Sequence, residues 1–254
     1  MEYTNSATRI LNLFELLQQK AAPNDPMYVA WSRVFDLDIS RTASDPQELN
    51  HHLTTLRQEI GLFKSQVIAS GYPESLYMKY VNDLISVSSL LVLTNPWQSY
   101  LGTVNGELLL SLRFFGHLLT KEEALEISEL EAILNAISNL RQEIEASGLS
   151  QLHRDFFLQQ LDIMELGIKD YPIRGRESLK KSFFDCMNKV QGDETGAAES
   201  SDYPTGMTSI MKKVSEVGKF VETANKALQG AKQFYGSVAP AIEYTVELTK
   251  EAMR

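Results

Sequence analysis

Cysteine is almost missing from this chain. Cys186 is the single one in 254 residues, so no disulfide can close within one chain and nothing calls for an oxidising compartment. Long apolar runs are missing as well. Leu84 to Leu93 is the longest of that kind and stops short of the ~18 uncharged apolar residues of a spanning helix. Met1 to Asn5 hold no basic region or apolar signal core, and the expectation is a cytoplasmic protein. Positive charge is in deficit: 24 Lys and Arg face 33 Asp and Glu, a formal net charge of -9. Phosphate backbones repel such a chain, so nucleic acid is not an expected partner. Gly-rich phosphate loops, a Walker lysine, His-Glu-x-x-His, a nucleophile elbow and kinase signatures are all lacking. The sequence therefore offers no positive case for an enzyme, a cofactor or a small-molecule substrate.

What is present is helical periodicity. Hydrophobic residues make up 43% and charged residues 22%, the balance of a globular chain. Ile10, Leu13, Phe14 and Leu17 recur at i, i+3, i+4 and i+7, and Pro23 with Pro26 closes that helix. A short helix is expected over Met27 to Phe35, then polar turns over 36–45. From Pro46 to about Ser70, Leu49, Leu53, Leu56, Ile60, Phe63 and Val67 alternate spacings of four and three, a seam for packing along another helix. One helix is expected over Glu74 to Leu93, and another from Asn95-Pro96 through Leu119. Thr120 with Glu123 fits a capping box for the next, which runs to Ser147. Helices over 150–170 and 174–191 complete the series, and no alternating run marks a strand. The expected fold is all-α, a multi-helix bundle of about seven helices with a tethered C-terminal arm.

A partial echo links two helices: Leu56-Arg57-Gln58-Glu59-Ile60 recurs as Leu140-Arg141-Gln142-Glu143-Ile144. Two readings stand side by side, an internal duplication and the reuse of good helix formers ahead of a glycine stop.

Composition breaks at 192–204, where Gly, Ser, Thr, Asp and Glu leave almost nothing to bury. This divides an acidic body, 1–191, from an arm, 205–254, through a linker. In the arm, Ile210, Val214, Val217, Val221, Ala224, Leu228, Ala231, Tyr235, Val238 and Ile242 continue the four-three pattern, widened by Phe220, Ala227 and Phe234. Lys212, Lys219 and Lys226 fall seven apart on the opposite face, and Pro240 should kink or break the helix. The arm carries seven Lys or Arg against five Glu, or +2, which leaves -11 for residues 1–204. Such an arm can dock on its own body, pair with a second copy or a partner protein, or lie on a membrane surface. Val214, Val217, Phe220, Val221, Leu228, Phe234, Tyr235 and Val238 are the expected partner-binding residues.

Candidate chemistry is sparse. Glu48 and His52, at i and i+4, can share one helical face, but no third ligand stands at a recognisable spacing, so no metal site is expected. His117 reads as a core-edge histidine. Cys186 lacks a basic neighbour in sequence to stabilise a thiolate, though His153 could supply one in space. Asp36 and Asp38 form an isolated acidic pair. Arg174, Arg176, Lys180 and Lys181 form the one basic cluster able to hold a phosphate or an acidic partner.

Residues 140–191 also show a recurring punctuation: Ser147-Gly148-Leu149 between two helices, then Tyr171-Pro172-Ile173-Arg174-Gly175 before a third. This resembles a pattern in bacterial all-helical proteins of uncharacterised function, some with an amphipathic or hydrophobic C-terminal segment. The resemblance spans about a fifth of the chain. It implies a bacterial, cytoplasm-facing helical protein and transfers no catalytic residue. It also implies an alternative to assembly: a membrane-directed effector of a toxin or anti-phage system, peripheral to the inner membrane face, whose arm is released on a trigger.

Overall fold

The structure, a computed structural model, describes residues 3–147 and 150–197. The described chain is all-α. It divides into two compact units, the first formed by Met1–Ala124 with Asp170–Gly175, the second by Leu125–Lys169 with the residues from Arg176 onward.

The first unit holds α1 (Ser6–Lys20), α2 (Met27–Val34), α3 (Ile39–Ser44), α4 (Gln47–Ala69), α5 (Met78–Val87) and α6 (Gly106–Leu118). The short α9 (Tyr171–Arg174) joins it from later in the chain. Its core follows the spacing of the sequence. All six seam residues of α4, from Leu49 to Val67, are fully buried, and so are Ile10, Phe14 and Leu17 of α1. Each such side chain contributes about 1.5–3 kcal/mol relative to exposure. Trp31 lies edge-on to Phe14, with centroids 5.6 Å apart, and its indole N–H donates to the Val87 carbonyl at 3.2 Å.

α1 and α6 run antiparallel. Asn5 caps α1, accepting from the Thr8 amide at 3.0 Å, and its Nδ2 donates to the Gly116 carbonyl at 2.9 Å near the end of α6. At the other end, Gln18 Nε2 donates to the Val104 carbonyl at 2.6 Å. The pair can close this far because Gly116 has no side chain; a Cβ there would stand 2.8 Å from Thr8 Cγ2.

The second unit contains α7 (Ile127–Ala146), α8 (Gln151–Lys169) and α10 (Arg176–Ala197). Ile133, Ile137, Leu140 and Ile144 of α7 are buried, as are Phe157, Leu161 and Met164 of α8. Gly167 lets α8 and α10 meet: a Cβ there would collide with the Ser182 side chain. Arg141 reaches from α7 to Asp162 at 2.8 Å and Glu165 at 3.1 Å on α8.

Several boundaries differ from those expected. The helix expected over 74–93 is only α5 between two 3-10 turns, because Ser88 Oγ turns back to the Leu84 carbonyl at 2.8 Å and Ser89 starts a new turn. Asn95-Pro96 opens a 3-10 turn, Trp97–Tyr100. The stronger start is Asn105, whose Oδ1 accepts from Glu107 and Leu108 at 3.0 and 3.1 Å. Residues 36–45 are not all turn, since α3 lies within them. Thr120 is not the cap of the next helix. Glu122–Glu123 (β2) instead pairs antiparallel with Tyr3–Thr4 (β1), and α7 starts at Ile127 after Glu126, whose N–H donates to Glu129 Oε2 at 2.8 Å. α10 continues to Ala197, through the first six residues of the segment read as linker. The rest of that segment and the arm lie outside the described residues. Among the described residues, no helix is long and apolar enough to cross a membrane.

Candidate functional site

α4 has a second buried face beside its apolar seam. His52, Thr55 and Glu59, at i, i+3 and i+7, are 2%, 5% and 1% exposed, all on one side of the helix. Burial of polar side chains there needs partners: Asp170 supplies one for His52 and Arg9 of α1 one for Glu59, with α9 packed on α1 and α4.

Asp170 receives both histidines. His51 Nε2–H donates to Oδ2 at 2.7 Å and His52 Nδ1–H to Oδ1 at 3.0 Å, so each oxygen of one carboxylate serves a different ring. The His52 side chain is 3% exposed and that of Asp170 11%, while that of His51 is 39% exposed. Burial by itself raises the Asp170 carboxyl. Hydrogen bonds and charge from His51 and His52 outweigh it and hold the group below the ordinary carboxylate range. An aromatic stack fixes the buried ring: Trp31 stacks on Phe35 at 5.5 Å, and Phe35 on His52 at 5.0 Å. His51 meets His52 edge-on at 5.5 Å.

One to two turns along α4, Arg174 Nη1 donates to Gln58 Oε1 at 2.9 Å. Next to it, Glu59 Oε1 accepts from Arg9 Nε at 3.1 Å and Nη2 at 2.6 Å, and Arg9 Nη1 reaches Glu122. Glu59 Oε2 is buried with no hydrogen-bond partner. Burial raises the Glu59 carboxyl above its ordinary value, more than Arg9 lowers it. Gly175 closes the segment at φ 60° and ψ -145°, a backbone region open essentially to glycine, and a Cβ there would stand 2.6 Å from both Arg9 Nη1 and Glu122 Oε1.

The expected partner-binding residues Val214, Val217, Phe220, Val221, Leu228, Phe234, Tyr235 and Val238 lie outside the described residues. The basic cluster is divided: half-buried Arg174 belongs to the first unit, while half-buried Arg176 and exposed Lys180 and Lys181 belong to the second. His117 is exposed on α6 rather than at the edge of the core. Cys186 is buried, and His153 is engaged by Ser150 Oγ at 2.8 Å. Asp38 caps α3, accepting from Ser40 and Arg41 amides, which hold its carboxyl below the usual range; Asp36 sits at φ 56° just before it. Glu48, one turn before His52 on α4, is half-buried.

Sequence reasoning missed Asp170. The usable signal was local to α4: adjacent histidines with a glutamate one turn earlier, beside an apolar seam. Compared with protein-family models, curated proteins and solved structures, the chain has no match in any of the three.

Proposed function

We propose that this chain is a non-enzymatic helical interaction protein that assembles with a second copy of itself through its C-terminal arm. The observation that carries the reading is a row on α6. Leu110, Phe114 and Leu118, at i, i+4 and i+8, are 64%, 51% and 44% exposed on successive turns. Single exposed leucines need no explanation, but three large apolar groups in line make a strip fit for a helix. The arm carries a matching helical stripe centred on Val217, Val221, Leu228 and Tyr235. Its charge of +2 opposes the -11 of the remaining chain, which favours encounter between the arm of one copy and the body of another. Stripe and strip occur in one sequence, so a second copy suffices as partner.

Light scattering of the eluting chain tests this. Wild type should be larger than a monomer. Val221→Asp with Leu228→Asp should be monomeric with unchanged helicity, and Leu110→Asp with Phe114→Asp should weaken assembly in the same way. Assembly that survives the arm substitutions rejects the reading. A monomeric wild type that floats with anionic vesicles, and loses this in the arm variant, would favour the membrane-directed alternative.

A further inference from the structure

We infer that His51, His52 and Asp170 form a binding site for one divalent transition-metal ion of the zinc type. The three come together without help from a sequence motif. Two are neighbours on α4 and the third is 118 residues beyond His52, on the segment that returns to the first unit. One ligand atom from each lies within 4.8 Å of the others.

The donor set selects the ion. Two imidazole nitrogens and one carboxylate oxygen suit zinc, cobalt or nickel, whereas calcium and magnesium take oxygen almost exclusively. Metal bonds of about 2.0–2.2 Å to such ligands place neighbouring donors about 3.3 Å apart in a tetrahedron. The present separations of 2.7 and 3.0 Å are those of hydrogen bonds and run to different oxygens of Asp170, so an ion held by one of these oxygens needs donors that now span up to 4.8 Å to regroup around it. Regrouping takes a turn of the Asp170 carboxylate together with a small swing of His51, the one member of the three with substantial solvent access. For ligation each ring gives up the proton it donates, His51 at Nε2 and His52 at Nδ1, either to solvent or by tautomer exchange to its other nitrogen, so that a lone pair faces the ion.

Two further features fit an ion better than a hydrogen-bonded triad alone. His52 is pre-oriented by the Trp31–Phe35 stack, which lowers the ordering cost of ligation. The site is also closed on the His52 side and open on the His51 side, leaving a route for the ion and a fourth position for water. Bound there, the ion would tie Asp170, and with it the return segment, to α4.

The test is a cobalt titration of the full chain, prepared without a polyhistidine tag, followed by visible absorption. The expected result is one saturating equivalent with a four-coordinate spectrum, displaced by zinc. His51→Gln and Asp170→Asn should each weaken binding roughly tenfold or more. His51 is exposed enough that His51→Gln keeps the fold, which far-ultraviolet circular dichroism checks. The inference is overturned if wild type takes up no stoichiometric cobalt, or if both variants bind it as tightly as wild type.

Discussion

His51 Nε2 lies 2.7 Å from Asp170 Oδ2 across 119 residues of chain, and the same carboxylate holds His52 through its other oxygen. This clasp fixes the start of a six-residue segment that belongs with the first unit although the sequence on both sides of it belongs to the second.

Removing the charge of the clasp should cost stability in a pH-dependent way. Asp170→Asn keeps the shape but loses an ionised acceptor for two buried or half-buried rings, an expected loss of about 1–3 kcal/mol at neutral pH. The folded carboxyl is held below its ordinary value, so its contribution is complete above the unfolded carboxylate pKa and disappears as pH falls through the lower folded one. Urea titrations should therefore show the gap between wild type and variant narrowing only below about pH 4. A gap that closes near neutrality would locate the effect in the histidines.

Arg9 and Glu59 behave differently, because here burial wins. Arg9→Met strands Glu59, whose side chain is 1% exposed, and should cost about 3–5 kcal/mol. Arg9→Met combined with Glu59→Met removes both charges and should recover most of that loss. A double variant as unstable as the sum of the two singles would contradict this. The Glu59 carboxyl is raised, so its protonated form is favoured in the fold and the wild-type chain loses stability as pH rises through that raised value. The double variant should lack that loss.

Two glycines of positive φ should rank in a definite order. Gly175→Ala meets both a forbidden backbone region and two charged groups, and should cost about 2–4 kcal/mol. Gly71→Ala, at φ 77° with open space around it, should cost only about 1–2 kcal/mol for the left-handed backbone. Equal losses by thermal denaturation would mean that the contacts of Gly175 with Arg9 and Glu122 carry no weight.

The fold was legible wherever apolar spacing decides it. The α4 seam from Leu49 to Val67 is buried residue for residue, because a four-three period leaves one continuous face. The helix over 74–93 misled because its composition is helical while Ser88 and Ser89 redirect the backbone by side-chain hydrogen bonds. The echo between 56–60 and 140–144 shows the limit of local pattern. Leu56 and Ile60 match Leu140 and Ile144 in burial, yet Glu59 is buried against Arg9 while Glu143 is exposed. The candidate site was illegible for the same reason. Spacing on one helix offered only Glu48 beside His52, and no metal site was expected there, whereas Asp170 arrives by a chain return that periodicity does not encode. The eight positions of the arm expected to bind a partner rest on the sequence and lie outside the described residues.

Assembly through the arm is the central claim, and a crosslink between copies tests it most directly. A chain with benzoylphenylalanine in place of Leu110 would be prepared unlabelled, mixed with a nitrogen-15-labelled preparation of the natural chain, and irradiated. The account predicts mass-spectrometric crosslinks joining the unlabelled position 110 to labelled peptides from residues 205–254. Crosslinks confined to unlabelled peptides, or none to the arm, would contradict it.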